Sequence, residues 1–187
     1  MGLNLYRMCI NLPWIIRGAW CTFFYNTFRK SFKIGKRLRV QSGREWIMTP
    51  GCKVSFGNNV FLGKNVSINS TQGGNLEIGD NVGIGNNSQI VSRKHIRIGH
   101  GTSLAPGVMM FDHNHKFDLN TGVNQREFDE GEIFIGENCW LGANVIVLKD
   151  VVIGNNTIIG AGSVVVKDIP DCCVAVGNPC KPIKFLK

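Results

Sequence analysis

The side chains best suited to chemistry lie in one polar stretch, residues 111–132, which holds two of the four histidines, His113 and His115. An imidazole with an ordinary pKa near ~6.5 can take up and return a proton at neutral pH, the work of a general base. A spacing of two puts both rings on one face of an extended segment, so either could be that base. A carboxylate beside the ring would fix its tautomer and stabilise the imidazolium. Asp112, Asp118 and the acids between 127 and 132 are the candidates for that carboxylate. The seven cysteines (Cys9, Cys21, Cys52, Cys139, Cys172, Cys173 and Cys180) are odd in number and contain no CxxC pair. They read as free thiols in a reducing compartment, with adjacent Cys172 and Cys173 as packing residues rather than a reactive pair.

Something rigid has to hold the histidine loop, and the flanking sequence supplies it. From residue 54 the chain repeats every six residues. Phe56-Gly57-Asn58-Asn59-Val60-Phe61 and Leu62-Gly63-Lys64-Asn65-Val66-Ser67 lead, followed by hexads opening at Ile78, Ile84, Ile98 and Leu104. After the 111–132 interruption come hexads opening at Ile135, Leu141, Val147, Ile153 and Ile159. Each hexad reads as one short strand and one turn. The aliphatic residue points into a narrow prism, a small residue such as Val60, Val66, Val82, Thr157 or Ser163 sits near a corner, and Gly and Asn tolerate the positive φ of the turn. Three hexads make one triangular coil of 18 residues, and stacked coils bury an aliphatic column. A long polar excursion from such a solenoid marks a functional loop.

Composition agrees and narrows the partners. The chain has 187 residues and 23 glycines, about 12% against a usual ~7%. Its hydrophobic content of 43% excludes wholesale disorder. The net charge of +8, from 21 Lys+Arg and 13 Asp+Glu, is unevenly placed. Residues 1–44 carry nine basic residues, among them Arg7, Arg17, Arg29, Lys30, Lys36 and Arg37, and no acid; residues 45–187 sum to −1. The repeat body therefore has no basic groove, and no nucleic-acid partner is expected. Residues 1–33 are apolar and aromatic as well as basic, but Pro13 and Arg17 interrupt them, which disfavours a spanning helix or a cleaved leader. The segment reads as helical. It either packs on the body or a neighbouring subunit, or lies as a peripheral contact on anionic lipid. The expected division is a basic aromatic segment, 1–46, and a repeat domain, 47–187, with loop 111–132 and a C-terminal tail, 171–187.

The repeats resemble the hexapeptide-repeat acyltransferases over roughly residues 54–187. The stretches Ile135-Gly136-Glu137-Asn138-Cys139-Trp140-Leu141-Gly142-Ala143-Asn144-Val145, Ile159-Gly160-Ala161-Gly162-Ser163-Val164-Val165-Val166-Lys167-Asp168-Ile169-Pro170 and Gly177-Asn178-Pro179 match the maltose, galactoside and xenobiotic O-acetyltransferase branch. Leu104-Ala105-Pro106-Gly107 through His115 matches that branch's approach to its catalytic histidine. The N-terminal segment and the Asp-His-Asn-His signature are more similar to capsule or lipopolysaccharide O-acetyltransferases.

The resemblance implies a mainly β fold, a left-handed parallel β-helix, and a cytoplasmic homotrimer, at the inner face of the membrane if its N-terminus binds there. It implies acetyl-CoA as co-substrate, a sugar or polysaccharide precursor as acceptor, and O-acetyl transfer, with N-acetylation of an amino sugar or a non-catalytic scaffold as alternatives. Counting from the Leu104 landmark puts the catalytic histidine on His115, with His113 as rival. Ala143 and Ala161 fall on positions that contact the pantetheine arm, and Lys167 and Lys181 near the phosphates, with Lys184 a weaker third. Trp140 falls beside the groove. An acceptor-contacting asparagine falls on Gly85, with Asn87 nearby, so the acceptor pocket should differ. The same fold hosts zinc enzymes with three histidine ligands. Two of those ligands are five residues apart, as His95 and His100 are here, but residues 1–94 hold no histidine to be the third, so no metal is expected and the pair reads as surface or corner residues.

Overall fold

A computed structural model of the chain describes residues 2–28 and 31–187, with side chains described from residue 12 onward. The expectations for Arg7, Cys9, Arg29 and Lys30 lie outside the described residues.

The body is a three-faced parallel β-helix. The first face stacks Phe32–Ile34, Lys53–Phe56, Asn75–Ile78, His95–Ile98, Glu132–Ile135 and Val151–Ile153. The second stacks Arg39–Val40, Phe61–Leu62, Gly83–Ile84, Ser103–Leu104, Trp140–Leu141, Ile158–Ile159 and Cys173–Val176, closed by Lys181–Phe185 running antiparallel. The third stacks Glu45–Met48, Ser67–Ser70, Gln89–Ser92, Met109–Phe111, Ile146–Val147 and Val164–Val165. The hexad's aliphatic residue points inward as expected: Leu62, Ile84, Leu141 and Ile159 are fully buried in one column. The corner asparagines Asn59, Asn65, Asn81, Asn87, Asn138, Asn144 and Asn156 all take φ between 54° and 57°. Some also bond up the edge, as Asn59 Nδ2 does to Asn81 Oδ1 at 2.8 Å.

Three expectations need correcting. The coil is not uniformly 18 residues. Partners lie 22 or 20 residues apart in the coils before the loop, 18 apart in the coil after it and 16 at the end, because early turns such as Thr71–Gly74 carry extra residues at the edge between the third and first faces. The ladders begin at Phe32, ahead of residue 47, because Ile34-Gly35-Lys36-Arg37-Leu38-Arg39 is a hexad whose positive-φ corner is Arg37 (φ 60°) rather than asparagine. Residues 171–187, expected as a C-terminal tail, are part of the ladders, since Cys173–Val176 continues the second face.

The helix α1 (Gly2–Phe28) covers the first coil. Its inward stripe runs through Trp14, Gly18, Cys21 and Tyr25, at spacings of three and four. The Trp14 ring lies 5.9 Å from Phe61, Cys21 is fully buried, and Tyr25 stacks on Phe32 at 4.6 Å. Gly18 is required for this approach, because a Cβ there would come within 1.7 Å of the Leu38 carbonyl oxygen. Cys21, Cys52, Cys139, Cys172, Cys173 and Cys180 are free thiols, and burial pushes Cys21, Cys139, Cys173 and Cys180 up, which keeps them protonated.

Candidate active site

Loop 111–132 is an ordered hairpin. Its strands, His113–Asp118 and Gly122–Glu130, pair antiparallel, and Gly131 N donates to Asp112 O at 2.7 Å across the root. Asp112 anchors this root. It is fully buried, and its carboxylate accepts from Ser92 Oγ (3.0 Å) and from the backbone amides of Arg93 (2.9 Å) and Lys94 (3.0 Å). A buried carboxylate is tolerated only with such a set of donors.

His113 Nδ1 lies 3.1 Å from Asp112 Oδ1, and His115 Nδ1 lies 3.2 Å from the Asn124 carbonyl oxygen. An acceptor at Nδ1 places the proton there and leaves the Nε2 lone pair to take a proton from elsewhere. The rings share one side of the strand and flank Phe128, with centroid distances of 5.3 Å for His113 and 4.4 Å for His115. His113 is mostly covered, whereas His115 is exposed.

Coils on either side grip the hairpin. From one side Arg93 lays its guanidinium over the Phe128 ring, 3.5 Å from the centroid, and donates from Nε to Glu130 Oε1 at 3.1 Å and from Nη2 to Gln72 Oε1. From the other side Lys149 Nζ meets Asp129 and Asp150, each at 2.8 Å. The hydrogen bonds to Asp129 and Asp150 raise the Lys149 pKa, and the bond from Lys149 lowers that of Asp150.

Among the carboxylates considered as orienters, only Asp112 touches an imidazole in these contacts. Asp118 caps the hairpin turn, where the amides of Asn120 and Thr121 hold its pKa down. Glu127 pairs with Lys116, and Glu132 with Lys94.

The other candidate positions sit elsewhere on the prism. Ala143 and Ala161 occupy consecutive corners between the second and third faces, joined by Gly162 N donating to Ala143 O at 2.8 Å. Gly85 and Asn87 are on that same edge, two coils earlier. A Cβ at Gly85 would lie 2.5 Å from the Ala105 carbonyl carbon, and Asn87 Oδ1 accepts from Asn65 Nδ2 at 3.1 Å, so packing accounts for both residue types. Trp140 is exposed on the second face, beside Ser103 and Ile158. Lys167 is exposed on the hairpin's edge, and Lys181 on the closing antiparallel strand. The hairpin leaves from the other end of the third face, about 16 Å of strand away from the alanine edge.

His95 and His100 do not approach one another's surroundings. His95 lies edge-on to Phe134 with Nε2 3.3 Å from Glu77 Oε1, and His100 is an exposed corner residue. Among the described residues no group of three His, Cys, Asp or Glu could hold a metal ion.

Comparison with known proteins places this architecture. Residues 132–167 match the family model described as bacterial transferase hexapeptide (six repeats). A lipopolysaccharide biosynthesis O-acetyltransferase of Escherichia coli K12, provisionally so named, is 33% identical over 139 residues, covering 70% of this chain and 71% of that protein. The chain belongs to the hexapeptide-repeat acetyltransferases. Among solved structures, a maltose O-acetyltransferase from Clostridium difficile is 28% identical, superposes with a TM-score of 0.57 and covers 95% of this chain and 89% of its own. AntD, an N-acyltransferase from Bacillus cereus in complex with dTDP and 3-hydroxybutyryl-CoA, superposes with a TM-score of 0.74 over 87% of each chain at 20% identity, a likeness of fold.

In this acetyltransferase, sequence reasoning missed Arg93, Phe128, Asn124 and Lys149. Asn124 and Phe128 lay within the stretch singled out, but nothing in their types tied them to the histidines. Arg93 and Lys149 come from other coils, and only the hairpin's return brings them to it.

Proposed function

We propose that the protein transfers the acetyl group of acetyl-CoA to a hydroxyl of a sugar or polysaccharide precursor, with His115 as general base. The observation that carries this reading is the clamped hairpin presenting an exposed imidazole whose Nδ1 is engaged by a carbonyl and whose Nε2 is left to work. Acetyl-CoA, when bound, supplies the thioester acetyl. His115 Nε2 takes the acceptor hydroxyl proton as the oxygen attacks and returns it to the departing thiolate sulfur. His113, tied to Asp112, holds the strand that carries His115. The stacked small corners at Ala143 and Ala161 leave a flat backbone strip suited to an extended arm, and Lys167 and Lys181 are exposed cations suited to its phosphates.

The separation of the histidine edge from the alanine edge within one chain supports a homotrimer in which each site is made by two neighbours. A second reading, N-acylation of an amino sugar, is favoured by the likeness to AntD. Thiol release from acetyl-CoA across a panel of glycans and amino sugars tests both. Loss of the product's acetyl in mild base reports an ester; a base-stable product reports an amide. Full acceptor-dependent activity in His115→Ala would overturn the assignment of the base.

A further inference from the structure

The terminal cap of a solenoid ordinarily shows a polar outer face. Helix α1 does not. While Trp14, Gly18, Cys21 and Tyr25 face the first coil, the opposite side of the same helix carries Leu12, Ile15, Ile16, Trp20 and Phe23. These five are between 48% and 66% exposed, and Ala19 lies among them. The helix is thus apolar on two opposed faces, of which the body covers one.

The surroundings of the uncovered face are cationic. A cleft of about 450 Å³ is lined by Ile15, Ala19, Thr22, Phe23 and Leu38, with Lys36 and Arg37 at its rim. Arg17 is exposed on the helix itself, and the first acid in the sequence is Glu45. Pairing this face with the same face of a second copy would bring the Lys36 and Arg37 charges of both copies together with no intervening carboxylate, so charge opposes a symmetric protein contact. Among the described residues no helix is long and apolar enough to cross a membrane. At 27 residues α1 is about 40 Å long, a length suited to lying along a surface.

We propose that the outer face of α1 is a membrane-docking surface for a bilayer containing anionic lipid. Leu12, Ile16 and Phe23 enter the boundary between headgroups and acyl chains, Trp20 sits at headgroup level, and Lys36 and Arg37 meet lipid phosphates. This surface lies outside the hairpin and is independent of which acceptor the enzyme uses.

The test is co-sedimentation of the full chain with phosphatidylcholine vesicles and with phosphatidylcholine–phosphatidylglycerol vesicles at about 7:3. Binding should be at least about tenfold stronger to the anionic vesicles and should fall steeply in ~1 M salt, where the Debye length is about 3 Å. Two variants separate the contributions, Ile16→Ser/Phe23→Ser for the apolar face and Lys36→Glu/Arg37→Glu for its rim. Each should cut binding by about tenfold or more while acetyl transfer to a soluble acceptor, and the mass in sedimentation equilibrium, stay at wild-type values. Absence of binding to anionic vesicles, or wild-type binding by Ile16→Ser/Phe23→Ser, overturns the proposal. A drop in oligomer mass for that variant also overturns it, by assigning the face to a subunit contact.

Discussion

The guanidinium of Arg93 lies 3.5 Å above the ring of Phe128, and on that ring's margins stand both His113 and His115. Arg93 belongs to the coil before the hairpin and Phe128 to the hairpin's returning strand. The pair fixes the wall against which the histidines rest. Arg93→Leu should remove the cation–π contact, worth up to about 2 kcal/mol when desolvated, and should leave Glu130 without its partner. We expect kcat to fall by about tenfold or more with little change in the KM for acetyl-CoA, since positioning rather than ground-state binding is lost. Phe128→Leu should do the same in milder form. Steady-state kinetics on both variants checks this; a change confined to KM would contradict it.

The two histidines should separate cleanly in the same assay. General acid–base catalysis contributes about 10²–10⁴-fold, so His115→Ala should lose kcat on that scale. His113→Ala should lose less, because its ring supports the strand. Asp112→Asn is the informative third variant. Its amide NH₂ would face the Arg93 and Lys94 amides that now donate to the carboxylate, leaving buried donors unmet at a cost of about 1–3 kcal/mol. A lowered Tm should therefore accompany any loss of rate. If Asp112→Asn keeps its Tm yet loses more activity than His115→Ala, the base is His113 with Asp112 as its partner.

Much of this architecture could be read before any coordinates. Hexads announced themselves through Ile-Gly and Leu-Gly pairs, and His113 and His115 through type and spacing. What stayed hidden has physical causes. The first coil was obscured because Arg37 takes the left-handed corner that asparagine holds elsewhere. The longer early coils were obscured because their added residues sit in turns, where no aliphatic marker keeps count. Arg93 and Lys149 reach the hairpin only through stacking of coils, 37 residues from Arg93 to Glu130 in one case, and a sequence carries no local sign of that.

The clamp on the other side makes a pH statement. Asp150 has a lowered pKa, so its contribution is present above the ordinary carboxylate value of 3.8 and is lost as pH falls through the lower folded value. Lys149 has a raised pKa, so its contribution is complete below its ordinary 10.5 and is lost as pH rises through the higher folded value. Between about pH 5 and pH 9 the Tm difference between wild type and Lys149→Met should be flat. It should also be small, since exposed pairs contribute about 0–1 kcal/mol, and should shrink in salt. A slope within that window, in melts followed by circular dichroism, would contradict the assigned shifts.

The separated edges predict a complementation. If one subunit's hairpin works against its neighbour's alanine edge, His115→Ala chains and chains blocked by Ala143→Trp should each be inactive alone. Co-expressed, they should form mixed rings in which some interfaces take an intact hairpin from one chain and an intact edge from the other. For random heterologous assembly about a quarter of interfaces qualify, so about a quarter of wild-type activity should return. Mixing after separate purification, without subunit exchange, should restore none. No recovery from co-expressed, demonstrably mixed oligomers would mean that each site is built within a single chain.

Gly18 offers the most local test of how α1 is seated. With the Leu38 carbonyl oxygen 1.7 Å from where its Cβ would stand, and that carbonyl fixed in the first coil, Gly18→Ala cannot be absorbed by a side-chain rotation. The helix must shift outward, and with it Cys21 and Tyr25 leave their contacts with the first coil. Overpacking of this kind costs about 1–3 kcal/mol, more than the helix propensity gained by replacing glycine with alanine, about 0.8–1 kcal/mol. The net effect should therefore be a lowered Tm together with faster alkylation of Cys21. Ala19→Ser, on the exposed side of the same helix, is the control and should leave Cys21 protected. A Tm raised by Gly18→Ala would show that the helix docks less closely on Leu38 than the structure places it.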